Sequence, residues 1–275
     1  MTTQDASVQW QLAGNSAEAY ERYLVPKLFA PWAKHMIQAT GVRPGERVLD
    51  VACGTGIVAR SVVPYVGEQG QIAGLDRNAA MLEVAKTTTN GYRPAIEWRQ
   101  GNAEQLPYAD GSFDVVFCQQ ALQFFEQPLQ ALAEMRRVLV RDGRAALSVW
   151  RPVEQNPAFA ILVDVLERHV GRAAARIMQS PFPAWSGDHL RDLVQRAGFG
   201  GVHLTIGLGG ARYASTRDFL LEEMHSSPLA GPLGQLAEAA FEALHDDLHA
   251  ALAPYRDDAG VITPMETYIV MARSA

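Results

Sequence analysis

The chain has only two cysteines, Cys53 and Cys118, in 275 residues. That is too few for a disulfide framework and points to a reducing compartment. Basic residues are also in deficit, with 24 Lys and Arg against 30 Asp and Glu and a net charge of −6. Without a dense cationic patch to displace condensed counterions, a sequence-independent nucleic-acid surface is not expected. No apolar run is long enough to span a bilayer, and Asp5, Glu18 and Glu21 break up the amino-terminal segment, which resembles neither a secretory signal nor a transit peptide. The expectation is a cytoplasmic chain with no membrane segment and no nucleic-acid partner. Internal repeats and low-complexity tracts are missing as well. What is abundant is apolar residues, 48% of the chain, enough to bury one large domain with an elaboration.

The apolar residues follow two rhythms in alternation. Short strand-like runs at 47–52, 71–76, 95–100, 113–118 and 144–150 are separated by helix-like patterns at 57–66, 78–89 and 128–140. Such βαβ alternation forces parallel strands, because each crossover helix returns the chain to the same edge. An α/β, doubly wound sheet follows. Ahead of it, 16–40 reads as helix capped by Ser16, with Pro26 and Pro31 expected to break it into pieces. After Trp150 come helical patterns at 157–170, 187–198 and 216–253, and strands near 201–208 and 266–272. Helical stretches at about 151–190 and 216–253 exceed what crossovers need. They are expected to form a cap over the carboxyl ends of the strands, giving three parts: 1–40 covering a cofactor site, 41–150 binding it, and 151–275 completing the sheet and holding substrate.

Small residues at Ala52, Gly54 and Gly56 fall where the first strand gives way to a helix, so the backbone can turn sharply and present its amides to a ligand. Gly54-x-Gly56-x-x-Ala59 also fits a dinucleotide pattern, with Asp76 at the distance expected of a ribose-binding acid. The glycines do not choose between cofactors. Asp50 does: a carboxylate inside an apolar strand is costly to bury unless it orders the loop or meets a cation. S-adenosyl-L-methionine carries an ammonium group, whereas the pyrophosphate of NAD would be repelled. Gly101-Asn102-Ala103, after the third strand, places a polar side chain and a free amide where an adenine edge can be read.

Together these segments resemble the class I S-adenosylmethionine-dependent methyltransferases, in particular the group related to ubiquinone/menaquinone-biosynthesis C-methyltransferases. The resembling motifs are Val48-Leu-Asp-Val-Ala-Cys-Gly-Thr-Gly56, Gly74-Leu-Asp-Arg-Asn-Ala-Ala-Met-Leu82, Gly101-Asn-Ala-Glu-Gln-Leu-Pro107, Ser112-Phe-Asp-Val-Val-Phe117 and Met135-Arg-Arg-Val-Leu-Val-Arg-Asp-Gly143. They span about 45–150; beyond Trp150 only Ala197-Gly-Phe199 adds to the likeness. The resemblance implies a Rossmann-like methyltransferase fold with a seven-stranded, mostly parallel sheet, its last strand antiparallel. It further implies that Asp50 and the backbone of Ala52 and Gly54 hold the methionine portion, and that Asp76 accepts the ribose hydroxyls. Asn102 and Ala103 would read adenine, Arg77 and Met81 would flank it, and the Gln119 backbone would accept from the amino group. S-adenosyl-L-homocysteine would be the product. Two positions depart from the commonest pattern: Ala52 stands for a frequent glycine and Asn102 for a frequent aspartate.

The substrate side is less marked. Gln119, Gln120 and Gln123 leave the fourth strand facing the expected methyl group, where neutral amides can orient an acceptor; Gln120 is a catalytic candidate. Tyr20 and Tyr23, three apart, suit core packing, or one of them covers a sulfonium with its ring, so Tyr20 is a second candidate. His225, His245 and His249 lie in the expected cap and His225 is the third, as a base; no further ligand at metal spacing accompanies them. Asp114 is expected to order its own loop. The functional expectation is methyl transfer to a small-molecule acceptor at O, N or C. Rivals are a non-methylating reaction with the same cofactor and a non-catalytic, cofactor-binding regulator.

Overall fold

A computed structural model describes residues 15–274; residues 1–14 of the expected amino-terminal part lie outside the described residues. The chain opens with α1 (Asn15–Ala19), a π-helical segment (Tyr20–Phe29) and α2 (Ala30–Thr40). Pro26 does not break the helix. It sits inside the π-helical turns, while Pro31 occupies the first turn of α2, where a missing N–H leaves no bond unmade. Gly41, at φ 64°, ends α2 by donating its N–H to Ile37 and Gln38 carbonyls.

Alternation then runs as the periodicity indicates: β1 (Arg47–Val51), α3 (Ile57–Val66), β2 (Gln71–Asp76), α4 (Ala79–Thr88), β3 (Ile96–Gln100), β4 (Phe113–Gln119), α5 (Pro128–Val138) and β5 (Leu139–Trp150). Next come α6 (Pro157–His169), α7 (Arg172–Gln179), α8 (Gly187–Arg196), β6 (Phe199–Tyr213), α9 (Thr216–Ser226), α10 (Ala230–Gly234) and α11 (Glu238–Ala251). A two-residue strand, β7 (Arg256–Asp257), and the long β8 (Gly260–Ser274) close the fold. The order across the sheet is β3-β2-β1-β4-β5-β8-β6, with β7 paired to β8 off this path. Pairings among β1 to β5 are parallel and β8 is antiparallel to both neighbours. Seven strands thus form the main path, as expected, with β7 as an addition.

β5 and β6 are longer than their patterns suggested. β5 starts at Leu139 because the chain bends through Asp142 (φ 60°) and regains register at Arg144, a polar stretch that hides the strand signal. β6 is the sheet's edge, alternately exposed, and its many glycines dilute the β pattern. No helix among the described residues is long and apolar enough to cross a membrane.

Central strands are buried on both faces. From β1 and β4, Val48, Val115 and Phe117 pack into one core with α2, α3 and α6; Leu49, Val51, Val116 and Cys118 pack into the other with α5 and α8. Alternation along the strand therefore leaves Asp50 on the first, larger core face. The order reverses between β1 and β4, so the crevice at their carboxyl ends is the natural ligand position of an open α/β sheet.

One packing contact fixes this end of the sheet. The Trp98 indole lies across Gly56 and Gly74, where an added β-carbon would come within 2.3 and 2.2 Å of ring atoms. Gly74→Ala is therefore expected to destabilise the protein by about 1–3 kcal/mol through overpacking. Denaturant unfolding should show that cost, and should show part of it recovered in Gly74→Ala/Trp98→Leu.

Candidate functional site

β1 ends on a loop whose geometry depends on two carboxylates. Asp76, the last residue of β2, accepts the Gly54 N–H at 2.8 Å and the Asn78 N–H at 2.8 Å, one on each oxygen. Asp50, 1% exposed, accepts the Ala59 N–H of α3 at 3.0 Å. Asp76 therefore orders the loop itself and Asp50 holds the first turn of the helix, near the positive end of its dipole. Gly54 and Gly56 take φ of 54° and 82°, and Ala52 takes 55°. Glycine reaches that left-handed region freely; Ala52 pays a steric penalty to do so.

Burial pushes the Asp50 carboxyl up to about 7, with the nearby Asp76 charge adding to the effect and the Ala59 bond opposing it. Asp76 is raised too, chiefly by burial, against the two amides that it accepts and the Arg77 charge. Arg60, the cation beside Asp50, is bonded instead to Glu21 at 2.6 Å and to the Thr55 carbonyl at 2.8 Å. Two carboxylates thus face one space with no ion pair of their own among the described residues.

That space is a cavity of about 470 Å³ at the carboxyl ends of the strands. Asp50, Ala52, Gly54, Asp76, Arg77, Met81, Asn102, Ala103 and Gln119 all line it, and so do Tyr20 and Gln120. Gly56 does not: its role is to begin α3 and to clear Trp98. Asn102 does two things, lining the cavity and shaping its turn by accepting the Glu104 N–H at 3.0 Å. Tyr23 is absent from the lining, because the wider π-helical turns rotate it away from Tyr20. The Tyr20 phenol is pushed above its usual range by burial and by the Asp76 charge. Asp114 stands apart, accepting three bonds from Arg47 where β1 and β4 begin.

His225 is outside the cavity, exposed in the last turn of α9. His249 bonds to Thr216 and Arg256, and His245 to Asp246. Among the described residues no group of three His, Cys, Asp or Glu side chains is placed to hold a metal. The titratable group that α9 does offer is Glu223, 2% exposed and part of the lining. The Tyr213 hydroxyl donates to its Oε1 at 3.3 Å. Burial, helped by Glu222, raises its carboxyl to about 8, against that bond and the Lys27 charge. A signal existed in the sequence: Glu223 lies four residues after Phe219 on the apolar stripe of α9, where a carboxylate is out of place. The aromatic wall of Phe29, Trp150, Phe159 and Phe182, with Met178 and Met265, likewise escaped sequence reasoning. Its members come from the π-helical segment, the end of β5, α6, α7 and the turn after it, and β8, which only tertiary structure brings together.

The π-helical segment closes this cavity from above. It is fastened by Arg60–Glu21, by the Gln119 side-chain N–H donating to the Phe29 carbonyl at 2.8 Å, and by a Lys27–Glu222 ion pair.

An open, mostly parallel sheet with its cavity at the β1/β4 reversal and acids at the ends of β1 and β2 defines an α/β protein whose candidate ligand site lies at the strand ends. Residues 49–147 match the methyltransferase domain family, and this stretch carries Asp50, Asp76, Asn102 and Gln119 of the cavity lining. The chain is 44% identical over 115 residues to the ubiquinone/menaquinone biosynthesis C-methyltransferase UbiE of Francisella philomiragia, covering 41% of this chain and 46% of that one. It thus spans about half the length of the curated relatives that it matches. In fold it is similar to a Haemonchus contortus phosphoethanolamine N-methyltransferase 2 in complex with S-adenosylhomocysteine (TM-score 0.58, 16% identity, 94% of this chain and 56% of that one). It is also similar to the [4+2]-cyclase SpnF (TM-score 0.53, 19% identity, 96% and 98%).

Two outcomes follow from the loop. Because the folded-state value of Asp50 lies above the unfolded value of about 4, the folded apo protein binds the extra proton. Its stability contribution is thus fullest at low pH and falls as pH rises towards about 7. Asp50→Asn, which keeps an acceptor for Ala59, should remove this slope and raise apo stability at pH 8 by on the order of 2–4 kcal/mol, measured by thermal unfolding across pH. Ala52→Gly should gain about 1 kcal/mol in the same assay by relieving the left-handed alanine.

Proposed function

We propose that this protein binds S-adenosyl-L-methionine in the cavity and transfers its methyl group to a small molecule. The observation that carries the reading is the pair of buried carboxylates, Asp50 and Asp76, facing the cavity without a cation of their own. Such a pair is costly unless a ligand supplies positive charge and hydrogen-bond donors. An ammonium group and ribose hydroxyls supply both; a pyrophosphate supplies neither and would be repelled.

The residues present fit the cofactor. Asp50 and the loop at Ala52–Gly54 would hold its amino-acid end, with the backbone of Gln119. Asp76 keeps acceptor capacity beyond its two backbone amides and would take the ribose hydroxyls. Asn102 and Ala103 would read adenine, between Arg77 and Met81. When bound, the cofactor supplies an electrophilic methyl on a sulfonium. The protein's own part is positioning, which can contribute about 7–11 kcal/mol, and the exclusion of water by the segment 20–29 and by Phe159, Phe182 and Glu223 from the 151–275 part. The methyltransferase domain match and the C-methyltransferase named among the relatives support this reading.

Calorimetry should detect binding of S-adenosylmethionine and S-adenosylhomocysteine. Asp76→Ala should weaken both by about ten- to a hundredfold, the loss of charge-assisted hydrogen bonds. Wild-type affinity in that variant would sink the proposal. Metabolite extracts incubated with methyl-labelled cofactor should yield a labelled product, with one S-adenosylhomocysteine released per product; product without S-adenosylhomocysteine would mean a non-methylating reaction, and tight binding without turnover a regulator.

A further inference from the structure

The half of the cavity away from the loop is lined by Phe29, Trp150, Phe159, Phe182, Met178 and Met265. The rings contact one another in series, Phe29–Trp150 and Trp150–Phe182 with centroids 6.4 Å apart and Phe159–Phe182 at 5.3 Å. Arg77, at the loop end, is the only cationic side chain in the lining among the described residues, against the acids Asp50, Asp76, Glu104, Glu126 and Glu223. Away from the loop, the lining offers an anionic molecule no cationic side chain among the described residues.

Three amide oxygens add direction. Oε1 of Gln119, Gln120 and Gln123 are all buried without a protein partner, and all three residues line the cavity. The hydrogen-bond network fixes which end of each amide is oxygen. Gln119 donates to the Phe29 carbonyl, and Gln123 to the Gln120 and Pro181 carbonyls, so nitrogen must face those acceptors. Gln120 donates to the Thr267 hydroxyl at 2.9 Å, whose own hydrogen goes to the Val149 carbonyl. The three unpartnered oxygens are thus acceptors turned to the cavity lining. Glu223 lines the same cavity, and the Tyr213 hydroxyl is bonded to its Oε1, not to its Oε2.

We propose that Glu223 is a catalytic residue, the proton acceptor of this site, and that the molecule methylated is largely apolar, not anionic, and bears an ionisable O–H or N–H. This rests on the methyl-transfer reading. The substrate's O–H or N–H bond breaks, its proton joins Oε2 of the Glu223 carboxylate, and the electron pair left on O or N is free to be methylated. No oxidant or reductant takes part. Burial favours the neutral acid that forms, and its value of about 8 lies between that of a phenol or alkylammonium, near 10, and neutrality. The groups facing Glu223 are Tyr213 of β6, Lys27 of the π-helical segment and Glu222 beside it on α9. β8 contributes the apolar Met265, and α1 carries an exposed Glu18. The α11 groups Glu242 and His249 meet α9 at its other end, on Arg217 and Thr216.

The test titrates wild type, Glu223→Gln and Tyr213→Phe with 4-ethylphenol, phenethylamine and 3-phenylpropionate, following tryptophan fluorescence between pH 6.5 and 9, with and without S-adenosylhomocysteine. Wild type should bind the phenol, the amine or both, about tenfold more tightly at pH 9 than at pH 6.5 as Glu223 ionises, and should bind the carboxylate at least tenfold more weakly throughout. Glu223→Gln should flatten the profile while binding S-adenosylhomocysteine as wild type does, which shows that it folds. Tyr213→Phe removes a bond that favours the carboxylate and should move the midpoint to higher pH. A flat wild-type profile, a Glu223→Gln profile like that of wild type, or preference for the carboxylate would overturn the proposal. Failure of every protein to bind S-adenosylhomocysteine would instead overturn the cofactor reading. A phenol-only response assigns an O–H substrate, an amine-only response an N–H one.

Discussion

The arrangement of the site depends on two carboxylates accepting backbone N–H groups at the ends of adjacent parallel strands. Asp76 takes Gly54 and Asn78; Asp50 takes Ala59. These bonds turn the chain out of β1, start α3 and leave both acids facing one cavity. Their cost is burial of charge, visible in the raised carboxyl of each. A fold that optimised stability alone would place apolar residues there, as it does at Val48 and Leu49 on either face. The exception marks the position as one kept for a ligand.

A second group of constraints gathers around the π-helical segment. Its ten residues carry Tyr20, Leu24, Leu28 and Phe29 over the cavity and are tied to α3, to β4 and to α9 by one polar contact each. Elements distant in sequence are thereby linked through the roof of a single chamber. The same roof sets Lys27 over the Tyr213 ring, 4.6 Å from its centroid, beside Glu223. The electrostatics of the acceptor half and of the cofactor half are thus connected through one segment.

Much of this was legible in the sequence. Alternating apolar runs gave the strands from β1 to β4 within a residue or so, and β1, β2 and β4, buried on both faces, carry an unambiguous apolar signature. Asp50 stood out for the same reason, as one charge in such a run. The edges were harder to read: β6 is half solvated and glycine-rich, and the beginning of β5 is polar, so hydrophobicity says little about either. Glu223 was passed over for His225, two residues along the same helix. Residue type drew attention to the histidine, while the deciding quantity was which face of α9 is buried.

By itself the sequence determined the parallel sheet, the glycine loop and the acids at the ends of β1 and β2, because these rest on local periodicity and on residues close together in the chain. Which side chains share the cavity was decided by tertiary structure alone. Glu223, Phe159 and Phe182 lie more than a hundred residues from Asp50 and meet it only because β8 and the helices after β5 fold back over the strand ends. Burial from that closure, not residue identity, raises the Glu223 carboxyl towards neutrality. The loop chemistry was local and could be read; the acceptor chemistry is a property of long-range packing and could not.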